Sequence, residues 1–185
     1  MNLALLSLQD KCSNIFKRID VEYDENEHSL EMQYPFIKYI NGDALVVPLM
    51  IGQLDRNCRR AVAQALSPFF ESDENVFIIS SDFCHWGKRF DFTQKYPNLP
   101  LHHFIKDLDS KAMQVISSKS ADAFDRYLDE TGNTICGSQP ILLLLEVIEG
   151  NDKIFLQFID YHRSSLAQSV SDSSVSYASG LIGLQ

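Results

Sequence analysis

Asp82, Cys84 and His85 fall within four residues of one another, with Ser80, Ser81 and the only tryptophan, Trp86, beside them. A carboxylate and an imidazole with two residues between them serve equally as metal ligands or as an acid–base pair. The bland alternative is that Asp82 caps a turn and His85 fills a core hydrogen bond. Cys84 competes for the same chemistry, but chain neighbours at a strand end point in different directions, so it is expected to face the core. Cys136 is the second candidate thiol. It stands in Asn133-Thr134-Ile135-Cys136-Gly137, a turn just ahead of an apolar helical stretch. A helix N-terminus favours the thiolate, which is the metal-binding form; the competing reading is an inert buried cysteine.

These residues need elements to hold them. Residues 76–79 (Val-Phe-Ile-Ile) are apolar on both faces and too short for a buried helix, so they predict a buried strand. The reactive run would then lie outside the carboxyl end of that strand, where open α/β sheets keep their ligands. Ahead of it, helical spacing predicts helices over residues 7–18, 28–40 and 57–70, the last with Ala61, Ala65, Leu66 and Phe69 inward. Pro35 should kink the second helix or mark its first ordered turn, and Asn41-Gly42 should end it. Residues 21–27 are acidic without a hydrophobic period and read as a loop. Residues 44–51 read as a strand near an edge, because Pro48 cannot donate to a ladder.

Downstream, residues 90–100 read as a loop. Helices are predicted over 102–117, from a cap at Ser120 through Phe124 and Leu128, and from Pro140 to Glu149, where Gly150 ends the last. Residues 153–161 and 174–184 read as strands, with Val175 and Tyr177 on one face. His102 and His103 read as surface residues. This order predicts an α/β fold, a layered sheet flanked by helices in a single domain over residues 1–185.

Composition narrows the function classes. A chain of 185 residues, 45% hydrophobic and 22% charged, suits a soluble globular protein. Its net charge of −9 disfavours a general binder of nucleic acid or anionic membranes. The four cysteines form no CxxC pair or zinc-ribbon spacing, which fits a reducing compartment better than a disulfide framework. No apolar run reaches the roughly 20 residues that a membrane span needs, so no membrane insertion is expected.

The octapeptide Ser80-Ser81-Asp82-Phe83-Cys84-His85-Trp86-Gly87 closely resembles the signature of the Memo family, named for mediation of receptor-driven cell motility. Three further segments agree in order: Asp24 through Met32, Asn133 through Gly137, and Asp172 through Ala178. The family resembles class III extradiol ring-cleaving dioxygenases in fold. The resemblance implies that Cys136 matches an iron or copper ligand, that Asp82 and His85 match the polar residues beside it, and that His28 lines the pocket. Family members also carry a His-Ala-Gly-Tyr and a Ser-His-His motif that supply two histidine ligands. Neither occurs in this sequence. The expectation is therefore a Memo-like domain without its leading part, whose metal site is incomplete.

Three functions follow as expectations. The first is a cytoplasmic or nuclear factor of cytoskeletal and motility signalling that binds iron or copper and docks phosphotyrosine peptides. The second is a dioxygenase-type enzyme with His85 as general acid–base and Asp82 orienting it. The third is a hydrolase whose nucleophile is Cys136 or Cys84, activated by His85.

Overall fold

The computed structural model describes residues 15–184, in two compact units that divide at Ser80. The helix predicted over residues 7–18 falls outside the described residues up to position 14. From Ile15 onward the chain is a turn followed by irregular backbone.

The first unit contains α1 (Val21–Asn26), a 3-10 turn (Glu31–Gln33), α2 (Tyr34–Ile40) and α3 (Arg56–Phe70). Helix α1 replaces the predicted acidic loop. It buries none of its residues and so leaves no hydrophobic period to read, while Glu22 and Asp24 in its first turn complement the positive end of the helix dipole. Glu27 then closes the next turn, accepting from Ser29 N at 2.9 Å and Leu30 N at 2.7 Å. Partial burial pushes this acid up, but the Ser29 hydroxyl, the two N–H groups and His28 outweigh it and hold it below the usual carboxylate range. Pro35 sits in the first turn of α2, as predicted, and Asn41 caps its end. Asp55 caps α3 by accepting from Cys58 N at 2.8 Å. The inward face of α3 is rotated from the predicted one: Arg59, Val62, Ala63 and Leu66 are buried, and Pro68 stays inside the helix.

Neither early strand forms. Residues 44–51 are irregular, with Leu45 84% exposed. Residues 76–79 are extended but not buried on both faces: Val76 is 86% exposed, while Phe77 turns inward and meets Phe70 edge-on at 5.2 Å. The reason is pairing. An apolar run becomes a strand only beside another strand, and neither segment has a ladder partner among the described residues.

The second unit carries β1 (His85–Trp86), α4 (Leu101–Ser117), α5 (Ala121–Thr131), α6 (Ser138–Ile148), β2 (Ile154–Arg163) and β3 (Ser174–Leu184). The sheet is antiparallel, in the order β1-β3-β2. Its long hairpin runs from Ile154 opposite Leu184 to Arg163 opposite Ser176, with an irregularity between Phe158 and Asp160. The three helices follow their sequence signals closely. Ser120 Oγ accepts from Ala123 N at 3.2 Å at the start of α5, and Gly132, at φ 60°, ends it. Helix α6 has Pro140 in its first turn and buries Ile141, Leu142, Leu143, Leu145 and Ile148, so it is a core helix covered on most sides.

Strand β1 corrects the predicted topology. His85 is not in a loop beyond a parallel strand; it is in the strand, paired antiparallel with Val175 while Trp86 faces Ser174. Trp86 is fully buried and donates from Nε1 to Gln94 O at 2.8 Å. Gly87 then turns the chain at φ 130°, where a Cβ would lie 2.8 Å from Ser173 Cβ and 2.9 Å from Asp172 O.

Gly87→Ala combines a glycine-only backbone conformation with a clash, and should cost about 2–4 kcal/mol. Gly52→Ala, with nothing within 4 Å of the added carbon, should stay within about 0.5 kcal/mol. Urea unfolding followed by Trp86 fluorescence checks both; equal midpoints would contradict the packing described at Gly87.

Candidate functional site

The second unit brings the segments carrying Asp82, His85 and Cys136 side by side. Asp82 and Cys136 form an isolated antiparallel bridge, with Asp82 N donating to Cys136 O at 3.1 Å. Ser81 Oγ donates to the same carbonyl. Side chains directly opposite in such a bridge have Cβ atoms about 5 Å apart. A second clasp lies three residues on. Thr134 Oγ1 accepts from His85 N at 2.9 Å and donates to His85 O at 2.8 Å. The residues that sequence reading grouped by motif are thus joined by backbone geometry, across about fifty positions of chain.

The ring of His85 has a defined orientation. Its Nδ1 lies 2.9 Å from Phe83 O and 3.2 Å from Thr134 O. Both neighbours are acceptors, so Nδ1 must carry the hydrogen, and the neutral ring presents its lone pair on Nε2. That nitrogen faces Asp82 Oδ2 at 3.7 Å. Two acceptors at this distance can both ligate one metal ion. The Asp82 side chain is 45% exposed and that of His85 is 18% exposed, so both can be reached from solvent. Phe90 packs edge-on against the imidazole at 5.0 Å, and the Arg89 guanidinium stands 4.4 Å over the Phe90 ring.

The two thiols differ sharply. Cys136 is exposed, directly before Gly137, which caps α6 at φ 86°. Cys84 is fully buried, as its alternation along the strand end predicts. Burial, then the nearby Asp109 carboxyl, push the Cys84 thiol far above its usual range. Cys84 is therefore unsuited to act as a nucleophile, which removes one of the two thiols considered for a hydrolase. His28 belongs to the first unit, where it is exposed and its carbonyl accepts from Met32 N at 3.0 Å.

A buried polar cluster behind the site was not anticipated. Asp109, on α4, is fully buried. Its Oδ1 accepts from Cys84 N at 3.1 Å and from Asn133 Nδ2 at 3.3 Å, and its Oδ2 accepts from Tyr161 OH at 2.8 Å. Tyr161 OH also reaches Ser176 Oγ at 3.1 Å, and Asn133 Nδ2 donates to Tyr127 OH at 2.9 Å. Burial raises the Asp109 acid, against the pull of its donors. Burial likewise pushes Tyr127 up to about 12. One signal was legible in the sequence: Asp109 interrupts an inward face that otherwise reads Ile105, Leu108, Ala112 and Ile116. Elsewhere in the unit, a cavity of about 290 Å³ is lined by Lys106, His162, Arg163 and Ser165. Arg163 there donates to His102 O, and His162 lies 3.1 Å from Asp160.

Among the described residues, no three His, Cys, Asp or Glu side chains are grouped closely enough to hold a metal ion. Asp82 and His85 fit as two ligands, since bonds of about 2.0–2.2 Å from each would span their separation. Cys136 does not close a third.

Two observables follow from this geometry. Neutral His85 should be the Nδ1–H tautomer, read from imidazole nitrogen shifts; a dominant Nε2–H form would contradict the two carbonyl contacts. Iodoacetamide should label Cys136 in the folded protein and leave Cys84 unmodified until denaturant is added, as mapped by peptide mass spectrometry.

Comparison with known proteins covers almost the whole chain. The family model described as Memo-like protein matches residues 4–181. The chain is 38% identical to the protein memo-1 homolog of Caenorhabditis elegans, over 90% of this chain and 50% of that protein. It is 40% identical to a MEMO1 family protein of Schizosaccharomyces pombe, over 89% and 62%, and 34% identical to protein MEMO1 of Xenopus laevis, over 92% and 60%. It therefore spans between half and about 62% of the length of these relatives. The four motifs, the fit to the family model and these identities lead to one conclusion: the chain belongs to the Memo family.

Proposed function

We propose that this protein is a Memo-like signalling factor whose site holds iron or copper and docks a phosphotyrosine-bearing partner in cytoskeletal and motility signalling. The observation that carries the reading is the Asp82–His85 pair, with the Nε2 lone pair turned to a carboxylate at 3.7 Å and tied through Asp82 N to the Cys136 carbonyl. Imidazole with a soft thiolate suits copper(I) or iron. In this reading Asp82 and His85 supply two ligands, and Cys136 joins them through a side-chain movement from its exposed turn. When bound, the metal would supply redox or Lewis-acid chemistry. The protein's own part is to fix the ring nitrogen that faces it, through Phe83 O and Thr134 O.

Phosphotyrosine docking is favoured by Arg89, which is exposed and stands over the Phe90 ring. An arginine offers paired donors to a phosphate, and an aromatic ring nearby offers a face for tyrosine. No helix among the described residues is long and apolar enough to cross a membrane. The reading places the protein in the cytoplasm or nucleus, without nucleic-acid partners.

The test is anaerobic titration with ferrous iron and with copper(I), on the wild type, His85→Ala and Cys136→Ser. Weak binding is expected, since two fixed ligands leave most of a coordination shell to be found. Both substitutions should lower it further. Tight binding that survives Cys136→Ser would show the ligands are misassigned. Oxygen uptake with catechols and loaded ferrous iron separates the dioxygenase alternative: no turnover is expected, and turnover lost in His85→Ala would promote that alternative over the signalling reading.

A further inference from the structure

We infer that Asp109 is the positioning residue of this site, a buried pin that holds the Asp82–His85 segment and the Asn133–Cys136 segment in one register. The inference rests on the reading of Asp82, His85 and Cys136 as the functional site.

Three observations carry it. The first is where the bonds of Asp109 go. Its Oδ1 takes the backbone N–H of Cys84, inside the first segment, and the Asn133 amide, at the start of the second. Its Oδ2 takes Tyr161 OH from β2, which continues to Ser176 Oγ on β3, the strand paired with β1. One side chain thus ties both site segments to the sheet that supports them.

The second is how unusual an acid is at this position. The neighbouring inward positions of α4 are Ile105, Leu108 and Ala112, all buried. A carboxyl group on that face carries a desolvation cost that only its donors offset, and removing it alone would leave Cys84 N–H, Asn133 Nδ2 and Tyr161 OH without their acceptor.

The third is the strain tolerated beside it. Asn133 is buried, and its Oδ1 has no hydrogen-bond partner. An amide kept in place with an orphaned acceptor is retained for its Nδ2, which donates to Asp109 and Tyr127. Costs of this kind, gathered at one junction, are expected where a geometry is being enforced rather than where packing is being maximised.

The bonding also fixes what can replace the acid. An asparagine at 109 keeps an acceptor for Cys84 N and Asn133 Nδ2, and its amide can donate to Tyr161 OH, whose own hydrogen then goes to Ser176. The role is therefore one of hydrogen bonding and does not need the negative charge.

Each tie has its own reporter amide. Cys84 N–H reports the Asp109 bond, His85 N–H reports Thr134 Oγ1, and Asp82 N–H reports Cys136 O. Hydrogen exchange of these amides is compared in the wild type, Asp109→Asn, Asp109→Leu and Asn133→Ala, together with the His85 tautomer. Asp109→Asn should stay within about threefold of wild type at all three. Asp109→Leu should speed Cys84 and His85 exchange by about tenfold or more and mix the tautomers. Leu142 and Leu145 in α6 should remain slow. Asn133→Ala also removes the orphaned acceptor, so it should fold, and it should speed His85 and Asp82. If Asp109→Leu does not fold, Asp109→Asn and Asn133→Ala decide the matter.

The pin is overturned if the reporter amides and tautomer are unchanged in the disrupting variants, if core amides rise in parallel with them, or if Asp109→Asn behaves like a disruption. Ferrous iron titration of the same proteins is read separately. A loss of about 10–100-fold in Asp109→Leu, restored in Asp109→Asn, supports pin and metal site together. No iron binding in wild type with responsive amides sinks the metal reading and leaves the pin standing.

Discussion

A carboxyl group with no solvent exposure has to be satisfied by the protein around it, and in this chain much of the second unit is arranged to satisfy Asp109. Transfer of such a group from water costs several kcal/mol unless donors replace the lost hydration. The donors come from a backbone amide ahead of β1, an asparagine in the turn before α6, and a tyrosine on β2. Each belongs to a different stretch of chain, so meeting the demand of one side chain on α4 fixes the relation of three others. Helices α4, α5 and α6 supply the apolar mass that excludes water from this cluster, and the exclusion is what makes each of its hydrogen bonds matter.

The surface consequence is the pair Asp82 and His85. Imidazole is useful only when it is settled which nitrogen holds the hydrogen. Two carbonyls on Nδ1 settle it without a second carboxylate, and leave Nε2 for whatever the site takes up. The same strand segment contains a thiol and an imidazole as chain neighbours, yet pleating sends Cys84 into the core and leaves His85 accessible. The thiol at the surface comes instead from residue 136, across the bridge to Asp82. Proximity along the chain and proximity in chemistry are thus different things here.

Membership of the Memo family fits a site built from short, ordered motifs on separate elements. Gly87 shows why one of those motifs has its form. The backbone there passes so close to Asp172 and Ser173 that no side chain fits, which joins the octapeptide around His85 to the segment that opens β3. Two motifs far apart in sequence are therefore two sides of one contact.

What the sequence determined by itself was the local structure of the second unit and the identity of the exposed groups. Helical periods, the Ser120 cap, Pro140 and Gly150 announced α4 to α6, and β-rich runs announced β2 and β3, because caps and periods act within a few residues. The motifs named Asp82, His85 and Cys136. Tertiary structure decided the rest. Apolar content in residues 44–51 and 76–79 could not reveal that no partner strand lies beside them among the described residues. The absence of a period in residues 21–27 could not separate a loop from a helix that buries nothing. On β3, Ser174 and Ser176 are fully buried while Tyr177 is 43% exposed, because Ser176 faces the cluster around Asp109 and Tyr161 and Ser174 donates to Ser165 O at 2.7 Å. A hydrophobic pattern records whether a position is apolar. It does not record that a polar side chain will be met by donors 24, 25 and 52 residues away, and those meetings hold this site together.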